Sequence, residues 1–331
     1  MQDTTTTTSA AGDAAGTAPA KALARRQIPW QAWFVVLGAV WGCSFWWIKV
    51  GLQALDPIGV AFIRLAFGAV ALLAITALTR APLPRRRSTW GHLFILGMLF
   101  NSLPFTLIAY GETHVSAILA GLINALTPLA TLLAALAVFR QERATPTGII
   151  GLLLGLAGVV VVIGIWRGLG SRELLGILAC VAAVVCYGLA FPYSRRHLMG
   201  AGESLVGLAT GQVLSGALQL LPFALVFGHV RRHPPVGSFV ALGALGMLGT
   251  GVAYVLNFHI MSRAPATVAS SVTYVVPLFA VAVGATFLGE PVAWYEPVGA
   301  FVILAGAAIS QGRLRLPGRW AQSSPGGSRG A

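Results

Sequence analysis

From residue 30 to residue 312, long apolar runs alternate with short segments that hold most of the polar and charged residues. Each run is close to the roughly 20 residues that an α-helix needs to cross the hydrocarbon core of a bilayer. The pattern therefore predicts an all-α membrane protein with ten transmembrane helices. The predicted spans are 31–51, 57–79, 90–110, 114–139, 146–166, 173–193, 204–228, 238–261, 265–288 and 294–312.

The pattern of the first half repeats in the second half. In each half a mid-span proline is followed by a glutamate, and the next apolar run begins and ends on glycine. The matched positions, 148 or 149 residues apart, are Pro128 and Pro277, Glu142 and Glu290, Gly151 and Gly299, and Gly158 and Gly306. The glutamate match is informative because the chain holds only nine acidic residues. Since five spans per half is an odd number, we predict two inverted five-helix repeats.

The basic residues indicate an orientation. With a cytoplasmic N-terminus, the inside segments hold 16 of the 22 Lys and Arg residues and the outside loops hold four, including the discordant pair Arg231–Arg232. This bias predicts a multi-pass protein of the cell (inner) membrane with both termini in the cytoplasm. The predicted organisation is a disordered cytoplasmic tail at 1–29, a first repeat at 30–166, a second repeat at 173–312 and a basic cytoplasmic tail at 313–331.

Composition makes the lipid bilayer an expected partner. Of the 331 residues, 56% are hydrophobic and 9% are charged, with a mean hydropathy of +0.80, whereas a soluble domain carries about 25% charged residues. The net charge of +13 is of a size found in nucleic-acid-binding proteins. We do not expect nucleic acid as a partner, because the basic residues lie in short clusters between apolar runs.

The spans show no arrangement typical of an enzyme. They contain no acidic pair, no His/Cys metal spacing and no Gly-rich phosphate loop, so no catalytic residue, cofactor or metal is predicted. The acidic residues assigned to outside loops are scattered: Asp56, Glu112, Glu173, Glu290 and Glu296. Two interpretations stay open at this point: a membrane-embedded enzyme acting on lipid-linked substrates, or a non-transporting membrane protein.

Polar residues gather around the two prolines. Proline removes a backbone hydrogen bond and kinks a span, so Pro128 and Pro277 are predicted hinges. Near them, or at similar depth in spans 3, 4, 8 and 9, lie Asn101, Ser102, Phe105, Asn124, Thr127, Thr250, Tyr254, Asn257, Thr273 and Tyr274. Polar groups at such depth favour a wet cavity between helices. The alternative is interhelical hydrogen bonding, which contributes about 0.6 kcal/mol per bond.

Two basic residues lie within spans. Arg64 is about eight residues into span 2, or roughly 12 Å deep at 1.5 Å per residue. It could be a functional intramembrane charge, or it could snorkel or cap nearby carbonyls. Lys49, near the outer end of span 1, is expected to snorkel. Glu142 and Glu290 are expected to bond with helix ends or loop arginines.

Small-residue spacings such as Gly38/Gly42 let helix backbones approach each other. We expect them to serve packing within one chain. The predicted oligomeric state is therefore a monomer or a weak dimer.

Several of these residues together resemble a known family. Span 1 contains Trp41-Gly42-Cys43-Ser44-Phe45, span 2 contains Arg64, and the second half echoes them weakly with Tyr187-Gly188 and Phe191. With the duplicated proline, glutamate and glycine pattern, the chain resembles the EamA-like members of the drug/metabolite transporter superfamily over about residues 30–312.

The resemblance implies a carrier for small organic solutes, often an exporter of amino acids or related metabolites. It also implies a central cavity lined by spans 1, 3, 4, 6, 8 and 9. The positions of this chain that it points to are Trp41, Ser44, Asn101, Phe105, Asn124, Thr127, Tyr187, Tyr254, Asn257 and Tyr274.

The chain differs from two related groups of carriers in ways that make their substrate classes less expected here. Span 1 has no glutamate of the kind that small multidrug-resistance proteins use, and no Lys or Arg lies between Arg263 and Arg313, where sugar-phosphate carriers have basic residues. We therefore expect a small neutral or zwitterionic substrate, carried by alternating access. A proton relay is not evident, and facilitated diffusion or exchange fits at least as well.

Overall fold

The computed structural model describes residues 30–140, 145–168, 170–200 and 202–310. These residues form ten helical segments with short connections, and one isolated β-bridge joins Leu55 and Val230. The segments are α1 Trp30–Gly51, α2 Pro57–Thr79, α3 Arg87–Glu112, α4 Ala117–Val138, α5 Pro146–Ile163, α6 Ser171–His197, α7 Leu205–Phe227, α8 Val236–Arg263, α9 Ala266–Phe287 and α10 Tyr295–Ser310. Both predicted tails and Glu142 lie outside the described residues.

Nine of these segments, α1 to α9, are long and apolar enough to cross a membrane. The tenth, α10, has 16 residues up to Ser310, where the described part of the chain ends. The protein is thus an all-helical, multi-pass membrane protein over the described ranges. The prediction of a tenth span stays a prediction.

Local sequence explains where several helices begin and end. The hydroxyl of Ser116 accepts a hydrogen bond from Leu119 N at 3.0 Å at the start of α4, and Thr145 does the same for Gly148 N before α5. Such caps satisfy amide groups that have no partner within the helix. The α5 helix ends at Gly164, whose φ of 63° is the left-handed conformation that favours glycine.

The helices α4 and α9 are interrupted before their prolines. In α4 the α-helix stops at Asn124 and resumes at Thr127, next to Pro128. In α9 a 3₁₀ stretch, Ser271–Tyr274, precedes Pro277. Proline cannot donate to the preceding turn, which explains a break at this place in each half.

The helices α3 and α8 also match each other, because each contains a π-helical stretch. The stretches are Met98–Ser102 and Met247–Val252, and their first residues are 149 positions apart. A π-helical turn places one extra residue in the helix and frequently occurs at functional sites. The sequence pattern gave no indication of either stretch.

Contacts between the two halves are reciprocal. Each helix of the first half has a counterpart five helices later in the second half. When both helices in a major contacting pair are replaced by their counterparts, the resulting pair is also in contact. The exchanged pairs are α1–α9 with α6–α4, α1–α8 with α6–α3, and α2–α8 with α7–α3, while α2–α7, α4–α9 and α5–α10 map onto themselves. The helices of one half therefore make the same kinds of contact as their counterparts in the other half.

The α5–α10 pair shows the same reciprocity at the level of single atoms. A methyl group added at Gly158 would lie 2.9 Å from the Gly299 carbonyl oxygen. A methyl group added at Gly306 would lie 2.6 Å from the Gly151 carbonyl oxygen. These are the four glycines of the sequence repeat, and they allow the two helix backbones to touch.

Candidate functional site

A small cavity with a volume of about 40 Å³ lies between the two halves. Its walls come from α1, α2, α3, α4, α6, α8 and α9, which includes all six predicted helices and adds α2. The lining residues are Trp41, Ser44, Phe45, Ile48, Arg64, Phe100, Phe105, Ile108, Asn124, Thr127, Tyr187, Phe191, Tyr254 and Thr273.

Seven of the ten predicted site residues are brought together in this wall. They are Trp41, Ser44, Phe105, Asn124, Thr127, Tyr187 and Tyr254. The other three, Asn101, Asn257 and Tyr274, are not among the lining residues, and their part in substrate binding stays a prediction. Asn101 is fully buried and accepts a hydrogen bond from Gln212 Nε2 on α7 at 2.7 Å. It illustrates why polarity alone cannot separate cavity residues from residues that join helices.

Besides Arg64, six lining residues were not among the ten predicted site residues; five of them have apolar side chains, and the sixth, Thr273, was noted only as a polar residue near Pro277. They are Phe45, Ile48, Phe100, Ile108, Phe191 and Thr273. Helical spacing offered one signal, since Trp41, Phe45 and Ile48 follow each other at intervals of four and three residues. Duplication offered another, since Thr273 stands 149 residues after Asn124.

Equivalent positions of the two halves both contribute to the wall of the cavity. Four pairs of lining residues are related by the repeat, with offsets of 146 residues in the first two and 149 in the last two. They are Trp41 and Tyr187, Phe45 and Phe191, Phe105 and Tyr254, and Asn124 and Thr273. Both halves therefore contribute equivalent positions to the wall of the cavity.

An aromatic cluster centred on Phe100 forms one wall of the cavity. The ring centroid of Phe100 lies 5.0 Å from that of Phe191, 5.3 Å from Tyr187, 5.7 Å from Tyr254 and 6.4 Å from Trp41. Tilted and edge-on arrangements at these distances are favourable for aromatic rings. The Tyr254 hydroxyl also donates to the Phe100 carbonyl oxygen at 3.1 Å, which holds α8 against α3.

Arg64 is the charged residue of this wall among the described residues. It neither snorkels nor lies in solvent, because it is 4% exposed. Its Nε donates to Thr250 Oγ1 at 2.9 Å, its Nη2 approaches the Gly249 carbonyl oxygen at 3.4 Å, and its guanidinium carbon lies 3.6 Å above the centre of the Phe105 ring. The cation is thus held by α8 and by an aromatic face.

The repeat gives Arg64 a neutral counterpart. Gln212 stands 148 residues after Arg64, and its partner Asn101 stands 149 residues before Thr250. The two hydrogen bonds, Arg64 to Thr250 and Gln212 to Asn101, therefore occupy equivalent places in the two halves. The Arg64 bond carries a charge and borders the cavity, whereas the Gln212 bond is neutral and buried away from it.

Comparison with known proteins shows which family the chain belongs to. The sequence profile of the EamA-like transporter family matches residues 28–164 and again residues 174–311. The chain belongs to the EamA-like transporter family. The two matches also show the duplicated domain in this transporter.

Relatives of this EamA-like transporter cover most of its length. The Uncharacterized transporter YdfC of Bacillus subtilis is 25% identical over 271 residues, which are 82% of this chain and 87% of the relative. The Probable terminal-alkyne amino-acid exporter of Streptantibioticus cattleyicolor is 28% identical over 298 residues, which are 89% of this chain and 97% of the relative. The family and these relatives are transporters, so the alternative of a membrane-embedded enzyme is not supported.

A solved crystal structure has the same fold. It superposes on this EamA-like transporter with a TM-score of 0.64 at 21% sequence identity, covering 85% of this chain and 96% of the other. The fold shared with this structure extends over both halves.

A lysine contact joins α1 to the end of α3. Lys49 Nζ donates to the carbonyl oxygens of Glu112, the last residue of α3, at 2.7 Å and of Val115 at 2.8 Å. We call this the Lys49 clasp. It replaces the expected snorkelling of Lys49. Next to it, Glu290 accepts hydrogen bonds from Ala117 N at 2.9 Å and Ile118 N at 3.0 Å, which caps α4.

An equivalent contact is made by the second half. Arg195 Nη1 donates to the carbonyl oxygens of Met261 at 3.2 Å and Ala264 at 2.5 Å, at the end of α8. Arg195 stands 146 residues after Lys49, and both acceptors stand 149 residues after their counterparts. We call this the Arg195 clasp. Because Gly176, near the start of α6, packs against Gly111, near the end of α3, the two clasps lie at opposite ends of α6.

The predicted position of Glu112 in an outside loop is wrong. The sequence pattern assigned it to an outside loop, but it is the last residue of α3 and is 1% exposed. The α3 helix runs two residues beyond the predicted span, since Glu112 follows an apolar turn and its backbone carbonyl is held by Lys49.

Proposed function

We propose that this transporter exports small neutral or zwitterionic metabolites, with amino acids as the leading class, by alternating access through the cavity described above. The observation that carries the proposal is the position of Arg64. A guanidinium group in a wall of aromatic and amide side chains offers a carboxylate partner on one side and apolar contacts on the other.

Arg64 would recognise the charged part of the substrate, and the aromatic rings would recognise its apolar part. Arg64 has donors beyond those used on Thr250 and Gly249, since a guanidinium carries five N–H groups. A substrate carboxylate would take the remaining donors. The Phe100 cluster would contact an apolar side chain, and Asn124 and Thr127 would hydrogen-bond the rest. The relative named as an amino-acid exporter supports this class of substrate.

The small volume supports a cycle with large movements. A cavity of about 40 Å³ is far smaller than the roughly 300–1,000 Å³ of pockets that bind drug-sized ligands. It is too small for an amino acid with its side chain, so the walls must separate for binding. With both clasps made, the conformation is a closed one, and opening one clasp at a time would expose the cavity to one side of the membrane.

The proposed membrane arrangement has ten spans in two inverted repeats, with both termini in the cytoplasm of a bacterial-type inner membrane. The reciprocal helix contacts support the two-fold relation between halves. The contact between the start of α6 and the end of α3 supports opposite directions for α1 and α6. The 16-to-4 distribution of basic residues supports the cytoplasmic termini. With this orientation, the Lys49 clasp faces outward and the Arg195 clasp faces inward.

Two further features complete the proposal. The interruptions before Pro128 and Pro277 would act as hinges, because helix breaks leave backbone groups free to rearrange. A monomer is the proposed functional unit. The Gly38/Gly42 spacing on α1 could have served dimerisation, but both glycines pack against another helix of the same chain. Gly38 and Gly42 on α1 pack against Val275 and Phe279 on α9.

Counterflow into proteoliposomes tests the function. Vesicles loaded with one unlabelled amino acid at a time are diluted into a trace of the labelled compound, and saturable accumulation identifies a substrate. A matched control is Thr210→Val, which removes a hydrogen bond of 2.8 Å to Thr76 on α2 without touching the cavity. We expect accumulation of zwitterionic compounds in wild type and Thr210→Val. Absence of accumulation across amino acids and their neutral derivatives would refute the proposed substrate class.

A further inference from the structure

We propose that Glu112 binds a proton, and that loss of this proton opens the Lys49 clasp, so that substrate movement is coupled to protons. This inference rests on the proposed transport function only for the coupling. The binding of the proton itself can be tested without a substrate.

The first observation is the isolation of the Glu112 carboxyl group. The residue is 1% exposed, and neither Oε1 nor Oε2 has a hydrogen-bond partner among the described residues. Burying a carboxylate without hydrogen-bond or charge partners is strongly unfavourable. A neutral carboxylic acid removes most of that cost, so the proton-bound form fits this conformation.

The second observation is that the charged neighbours of Glu112 have other partners. The titratable or charged groups near it are Lys49 on α1, Arg64 on α2, Cys180 on α6 and Glu290 between α9 and α10, with His114 two residues later in the chain. Arg64 is bonded to Thr250, and Glu290 caps α4. Lys49 uses two of its three donors on carbonyl oxygens and makes no ion pair with Glu112 within the described part of the chain.

The third observation comes from the repeat. At the Arg195 clasp, the position equivalent to Glu112 is Met261, 149 residues later. Both residues offer their backbone carbonyl to the basic side chain in the same manner. The clasp geometry therefore does not require a carboxyl side chain. Glu112 adds a titratable group to one of the two clasps, which is the outward-facing one in the proposed orientation.

A connection from Glu112 to the cavity runs through adjacent turns. Ile108 lines the cavity one helical turn before Glu112, and Ile48 lines it next to Lys49. When the cavity is open to the cytoplasm, Glu112 releases its proton to water on that side, and the resulting carboxylate attracts the Lys49 ammonium group away from the carbonyl oxygens of Glu112 and Val115. The ion pair forms, the clasp opens, and the walls carrying Ile48 and Ile108 separate. Uptake of one proton from the outward side restores the acid and the clasp, so each cycle carries one proton inward in exchange for the exported substrate.

Infrared difference spectroscopy tests the proton site directly. Purified transporter in lipid at neutral pH should show a carbonyl stretching band from a protonated carboxylic acid, which shifts on exchange into heavy water. We expect the band to be lost in Glu112→Gln and retained in the matched control Glu290→Gln, whose carboxylate is hydrogen-bonded in the wild type. Absence of the band in wild type, or its persistence in Glu112→Gln, would overturn the proposal.

Proton flux tests the coupling. Vesicles with a pH-sensitive dye inside are given a substrate gradient, and the protons moved per labelled substrate are measured. We expect about one proton per substrate in wild type and a ratio at least about tenfold lower in Glu112→Gln and in Glu112→Met, which copies the Arg195 clasp. An unchanged ratio in both variants would overturn the coupling. If no substrate moves in wild type while the infrared band is present, the proposed function fails and the proton site stands.

Discussion

Replacement of Arg64 by glutamine is the most informative perturbation of the cavity. The change removes the cation but preserves a hydrogen-bond donor, and the chain itself indicates that the site accepts it. Gln212 already occupies the equivalent place between α7 and α3, where it donates to Asn101. We therefore expect Arg64→Gln to fold and to keep a contact with Thr250.

The expected loss of affinity follows from the bonds that the substrate carboxylate would make. A hydrogen bond to a charged group contributes about 1.5–3 kcal/mol, and each 1.4 kcal/mol is a tenfold change in affinity. Arg64→Gln should therefore weaken binding of a zwitterionic amino acid by about 10- to 100-fold. An analogue whose carboxylate is replaced by an amide should lose little, because it never formed the charged pair.

The assay is competition against labelled substrate in counterflow, with the acid and its amide measured in wild type and Arg64→Gln. The control variant Thr210→Val should bind both compounds as wild type does. An equal loss of affinity for acid and amide in Arg64→Gln would refute the carboxylate role and would indicate that Arg64 only joins α2 to α8.

Three other changes have defined outcomes. Asn124→Leu removes an amide from the cavity wall and should reduce counterflow without lowering the amount of protein in the membrane; full activity would mean that Asn124 only packs. Pro128→Ala should slow turnover by allowing α4 to become continuous, as measured by single-turnover efflux, and wild-type turnover would make the break incidental. Gly158→Ala places a methyl group 2.7 Å from Ile303 N and should destabilise the α5–α10 contact by about 1–3 kcal/mol in thermal unfolding, whereas Gly91→Ala, with open space around it, should not.

The large features of the fold followed from sequence because they depend on patterns that a bilayer imposes. Apolar length marks the spans, and the repeat of prolines and glycines marks the two halves. The α5–α10 contact shows why the glycine pattern was informative, since Gly158 and Gly299 are small where two backbones touch.

The site was harder to predict because its chemistry depends on partners in space. Asn101 and Asn124 are both buried amides, yet one pairs with Gln212 and the other borders the cavity. Phe100 reaches the cavity from a π-helical stretch, and helical periodicity does not predict where such a stretch occurs. Glu112 resembled a loop residue because it follows the apolar run, and only the fold shows that it is buried.

The central claim is that the cavity between the halves is reached alternately from the two sides and holds the substrate. The most direct measurement is labelling of the thiol introduced by Thr273→Cys, in a background where the free cysteines Cys43, Cys180 and Cys186 are changed to alanine. Thr273 lines the cavity and is 4% exposed. The account predicts slow labelling by a membrane-impermeant reagent from either side, with substrate protecting the thiol from both. Labelling from a single side, or labelling that substrate does not change, would contradict it.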